Sequence, residues 1–127
     1  MSVEREAYLQ AFHEEAAEHV ERLAQGVLAL ERRWPDNDLV AALFRSAHTI
    51  KGGAGLLGLG HIAETAHALE DLLDALRHGQ RALTPEVIDE LLLGIDALRG
   101  LLATLTAPAA PTFPSLARPA PAAEGPP

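Results

Sequence analysis

The sequence predicts an all-α fold: an up-down-up-down four-helix bundle over residues 1–106, followed by a disordered Pro/Ala-rich C-terminal tail over 107–127. Three observations carry this. Apolar residues recur at three- and four-residue steps through four segments, and no segment alternates with period two. The apolar share is 48% while aromatics supply only 4%, so Leu and Ala must fill the interior, which suits helices packed on helices. Seven of the nine prolines lie beyond Ala107, alternating with alanine in the manner of a linker.

The first helix is expected from about Glu4 to Arg33, with Tyr8, Phe12, Ala16, Val20, Leu23, Val27 and Leu30 on its core face. Trp34-Pro35 ends it, because the residue before a proline is pushed out of the α region. Asp36, Asn37 or Asp38 caps a second helix that runs to about Leu57, and Gly58 takes the left-handed turn after it. A third helix spans about His61–His78 and stops at Gly79. Thr84-Pro85 then provides an N-cap and a proline at the first helical position. The fourth helix carries Val87, Ile88, Leu91, Leu92, Ile95, Leu98, Leu102 and Leu105, a stripe strong enough to absorb the cost of Gly94 and Gly100. Four amphipathic helices on short loops are best buried as a bundle, and about 105 residues suffice for a core.

Composition removes several function classes. With no cysteine there is no disulfide, thiolate metal site or cysteine nucleophile. A formal charge of −8, with Lys51 as the sole lysine, repels nucleic acid and anionic membrane surfaces. The charged N-terminus reads as no signal peptide, and no apolar run reaches the roughly 20 residues that span a bilayer. A cytoplasmic location is expected. The polar outer faces favour a monomer, and a chain ending in a linker is expected to be a piece of a longer protein.

The second helix holds the anomaly. Leu39, Leu43, Ala47, Ile50, Ala54 and Leu57 share the core sector, which turns His48 outward. Around it lie Ala41, Phe44, Arg45, Lys51, Gly52 and Gly55, where a solvated face would carry Glu, Lys and Gln. Gly52, Gly53 and Gly55 together oppose the helix by about 2–3 kcal/mol. Close approach of another backbone explains them: a neighbouring helix at Gly53, a docking partner at Gly52 and Gly55. On the third helix, Ile62, Ala66, Leu69, Leu73 and Leu76 form the core stripe, with His67, Glu70, Asp71 and Asp74 on its flank. Antiparallel packing across Gly58-Leu59-Gly60 brings His67 and Glu70 toward His48 and Lys51. A carboxylate on one imidazole nitrogen fixes the tautomer and leaves a lone pair on the other, as a nucleophilic histidine requires.

The stretch Leu43-Phe44-Arg45-Ser46-Ala47-His48-Thr49-Ile50-Lys51-Gly52-Gly53-Ala54-Gly55 resembles the phosphoacceptor helix of histidine phosphotransfer (HPt) domains, in the form carried by CheA-type chemotaxis kinases. The likeness continues through His67–Asp74, reaches back to Tyr8–Phe12, and covers about residues 4–105. It implies that His48 is phosphorylated on Nε2, with Glu70 on its Nδ1 and Lys51 and His67 as a supporting polar shell. Phe44, Arg45, Gly52 and Gly55 would meet the partner, Gly52 giving clearance. It further implies a separate ATP-binding CheA-type kinase domain as donor, and an aspartate of a CheY- or CheB-like response regulator, which holds Mg²⁺, as acceptor. The expected setting is two-component chemotaxis signalling at chemoreceptor clusters. No cofactor or metal is expected on this chain. It carries no nucleotide-binding signature, so a parent histidine kinase would have its ATP site elsewhere. The family often carries a further helix after the bundle, where this sequence turns proline-rich.

Two other readings compete. Glu64-x-x-His67 is half of a di-iron ligand pattern, but the second half is missing, and His13 and His19 share no close face. A plain interaction or dimerisation module would use Phe44 and the small-residue face equally well. Only His48, Lys51 and Glu70 separate that reading from phosphotransfer. In the tail, Pro108, Pro111 and Pro114 have PxxP spacing without a basic residue near enough to orient it.

Overall fold

A computed structural model describes residues 2–106 of the 127-residue chain; the proline-rich tail, with its PxxP spacing, lies outside the described residues. Four helices follow in order: α1 (Val3–Arg33), α2 (Asn37–Leu56), α3 (Gly60–Arg77) and α4 (Pro85–Thr106). Each helix packs on two neighbours, α1 and α3 both lying between α2 and α4, and the α2–α3 seam is the most extensive. The all-α bundle expected from the periodicity is therefore the fold. Among the described residues no helix is long and apolar enough to cross a membrane.

The ends of the helices follow local chemistry. Ser2 accepts the Arg5 N–H at 3.0 Å, and Asp36 accepts the Leu39 N–H at 3.0 Å, so Asp36 is the α2 cap among the three acidic or amide choices. Trp34 turns extended, with ψ 136°, as the following proline demands. Gly58 and Gly79 both take φ 72° and close paired turns, through Leu59 N–H to the Ala54 carbonyl and Gln80 N–H to the Ala75 carbonyl. Thr84 Oγ1 receives the Val87 N–H at 3.2 Å.

Among the described residues the core is built from 22 buried apolar residues, Phe12 being the single aromatic among them. Several assignments shift by a position. Tyr8 is 65% exposed, because it lies at the end of the bundle beside Leu56 and Leu57, in an open groove. On α2 Val40 is fully buried while Leu39 and Leu57, at the two ends of the helix, are half-buried, because the neighbouring helices cover the ends less completely. Ser46 is also buried, with its hydroxyl 3.2 Å from His19 Nδ1 on α1. Three glycines mark close helix approaches. A Cβ at Gly26 would lie 2.2 Å from Leu43 Cδ2, at Gly53 2.9 Å from the Phe12 ring, and at Gly94 2.7 Å from Leu69 Cδ2. At Gly52 and Gly55 a Cβ meets nothing within 4 Å.

Candidate functional site

Midway along α2, facing α3, one imidazole stands out from the bundle. The His48 side chain is 62% exposed, and its Nδ1 is bonded to Oε2 of Glu70 on α3. Glu70 is the opposite case, with a side chain only 8% exposed. Its other oxygen, Oε1, accepts from Lys51 Nζ at 2.7 Å. Each carboxylate oxygen thus has its own donor from α2, three residues apart on one face. The flank position expected for Glu70 understates its burial: the α2–α3 seam closes over it, leaving only the two donors as an outlet for its charge.

That charge is well supported. Burial by itself pushes the Glu70 carboxyl upward, but the hydrogen bonds from Lys51 and His48 and the attraction of both groups outweigh it and hold the carboxyl below the ordinary glutamate range. An ionised carboxylate only accepts, so the proton on the shared bond belongs to His48 Nδ1. In the neutral ring Nε2 then carries the lone pair, on a side chain that is 62% exposed. A base oriented by a buried acid, on an exposed side chain, is the arrangement of an imidazole nucleophile.

Side chains beside His48 fall into two groups. At 100° per residue Phe44 and Lys51 lie on the α3 flank of the histidine, while Arg45 and Gly52 lie on the other. Phe44 is half-buried, not the open docking ring expected from the helical wheel, because the α3 side chain of Arg77 covers it. Its ring stacks on His48 with centroids 6.1 Å apart and planes 11° from parallel. Arg45 is exposed, and with Gly52 and Gly55 it forms an open strip along α2.

His67 does not reach His48. It is 57% exposed and its Nε2 lies 3.4 Å from Asp71 Oδ1, one turn further on α3. It remains beside the acid, since His67, Glu70 and Asp71 bring possible ligand atoms within 4.8 Å of one another. Both Glu70 oxygens in that group are already engaged by His48 and Lys51. Glu64 pairs loosely with His61 at 4.0 Å and contributes nothing to the cluster. Reading the residues alone passed over Arg77 and its 2.7 Å bond to Asp74. The antiparallel register would have found it, since Arg77 lies two turns beyond Glu70 as Phe44 lies before Lys51 on the opposing helix.

Comparison with known proteins agrees with this geometry. The Hpt domain family matches residues 7–101. A chemotaxis protein CheA of Halobacterium salinarum is 39% identical over 95 residues, which are 75% of this chain and 14% of that protein. Among solved structures, the CheA phosphotransferase domain from Thermotoga maritima superposes with a TM-score of 0.77 at 30% identity, covering 84% of this chain and 100% of that one. The phosphorylated P1 domain of CheA3 in complex with CheY6 from R. sphaeroides gives 0.74 at 28% identity, over 83% and 82%. With three quarters of its length matched and the four helices in the same arrangement, the chain belongs to the Hpt domain family and is of the CheA type.

Proposed function

We propose that His48 is the phosphoacceptor of a CheA-type chemotaxis kinase, receiving a phosphoryl group on Nε2 and passing it to an aspartate of a CheY- or CheB-like receiver. The observation that carries this is the division of the imidazole: Nδ1 tied to a buried, ionised Glu70, Nε2 left with the lone pair on an exposed side chain.

In the first step the Nε2 lone pair attacks the γ-phosphorus of ATP, the P–O bond to the departing ADP breaks, and a P–N bond forms. Nδ1 keeps its proton throughout. The ring therefore gains positive charge, which Glu70 faces directly and stabilises. In the second step an aspartate oxygen attacks phosphorus, the P–N bond breaks, and its electron pair returns to Nε2, restoring the neutral ring. Neither step requires this chain to move a proton. ATP on a separate kinase domain supplies the phosphoryl group, and Mg²⁺ on the receiver neutralises charge during its transfer. Lys51 holds Glu70 in place and contributes a cation near the incoming anion. The open strip at Arg45, Gly52 and Gly55 gives a receiver room to approach. The setting is two-component chemotaxis signalling, with the kinase and receiver as partners.

Incubation with a CheA-type kinase core and ATP tests the reading. Acid-labile, base-stable label is expected on the wild type and absent from His48→Gln. No label on either protein returns the chain to the class of plain interaction modules.

A further inference from the structure

We infer that Arg77 is a positioning residue for His48, acting through Phe44; the inference rests on the phosphoacceptor reading of that histidine. A single bond at Nδ1 restrains one corner of an imidazole. It does not stop the ring tilting about the line from Cβ to that bond, and such a tilt redirects the Nε2 lone pair. His48, with 62% of its side chain exposed, has little packing of its own to resist it.

Phe44 supplies the missing restraint. One turn back on α2, its ring lies nearly parallel to the imidazole, 11° off with centroids 6.1 Å apart, inside the range of offset stacking. Phe44 is half-buried and packs against the core on one side, which leaves its other side to be held. The Arg77 guanidinium holds it, with Cζ 4.3 Å from the ring centroid. Arg77 is fixed in turn by Asp74 Oδ1 at 2.7 Å, one turn earlier on α3. Two braces thus run from α3 to the same imidazole: Glu70 to its edge, and Asp74–Arg77–Phe44 to its face. The second uses no atom that touches the phosphoryl group.

Two readouts on the 127-residue chain test this. The first is ¹³C relaxation of the His48 ring carbons, with the ring-current displacement Phe44 imposes on them, in unphosphorylated wild type and Arg77→Ala. The second is labelling by a CheA-type kinase core across ATP-saturated concentrations of the chain. In Arg77→Ala the ring should loosen and lose its displacement, and kcat should fall about three- to ten-fold with KM unchanged. In a Phe44→Leu background the same substitution should have little further effect, since Arg77 acts only through that ring. An unchanged ring, an unchanged kcat, a change confined to KM, or a full effect without Phe44 would each overturn the assignment. If the kinase labels neither protein, the phosphoacceptor reading falls, while the relaxation data still decide whether Arg77 orders the imidazole.

Discussion

Replacing Glu70 separates what its charge does from what its shape does. In Glu70→Gln the side chain keeps its volume and can still accept from His48 Nδ1 with an amide oxygen, but the negative charge is gone. A hydrogen bond to a charged partner exceeds a neutral one by on the order of 1 kcal/mol. Because ring charge develops as the P–N bond forms, that difference appears in the barrier, and phosphorylation should slow about five-fold. Glu70→Ala removes the bond as well, freeing the tautomer and the ring, and the loss should approach about 100-fold, as when an orienting partner is removed from a ligating histidine. The effect belongs in kcat, since the carboxylate is 8% exposed and unavailable to a docking partner. The assay is the rate of acid-labile labelling by a CheA-type kinase core, with thermal melts to establish that each variant remains folded. Truncation leaves a void in the α2–α3 seam, yet Lys51, 31% exposed, can turn to solvent, so the helices should persist. Wild-type rates in Glu70→Gln would show that charge is not needed. Wild-type rates in Glu70→Ala would remove Glu70 from the mechanism.

Other consequences follow from the packing. Gly26→Ala should destabilise the bundle by on the order of 1 kcal/mol, overpacking outweighing the gain in helix propensity, because its Cβ would fall 2.2 Å from the buried Leu43 Cδ2; a thermal midpoint at or above wild type would refute this. Gly52→Ala, with nothing within 4 Å, should raise stability by about 0.5–1 kcal/mol, while the bulkier Gly52→Leu should slow transfer to a receiver without unfolding the helix. Since Glu70 is held below the ordinary glutamate range in the fold, its contribution is present above that range and is lost as pH falls from there through the lowered value of the folded state. The stability difference between wild type and Glu70→Gln should therefore shift against wild type below about pH 5, and urea midpoints that track each other down to about pH 3 would contradict it.

Much of the architecture was legible because its signals are local. The apolar period named four helices, and Asp36, Trp34-Pro35, Gly58, Gly79 and Thr84-Pro85 bounded them to within a residue or two. Tyr8 and Leu39 were placed in the core and Val40 was passed over because a helical wheel yields the direction of an apolar face, while the neighbours that cover it decide which of its residues are buried. His48 was legible as an outward imidazole on a bare face. That Glu70 is buried beneath it was not, since a wheel shows a flank position without showing how tightly the next helix closes over it.

The one-dimensional chain therefore determined which segments are helical, where they stop, and that a histidine points away from the leucines, because caps, prolines and periodicity act within about four residues. Only the packed bundle decided that both Glu70 oxygens meet α2 donors and that Arg77 covers Phe44. It also sorted the glycines, since Gly26, Gly53 and Gly94 admit a neighbouring side chain while Gly52 and Gly55 face open space. The contacts between helices join residues distant in the chain, 22 apart for His48 and Glu70, and their register is set by how side chains interdigitate across a seam, a property no single helix possesses.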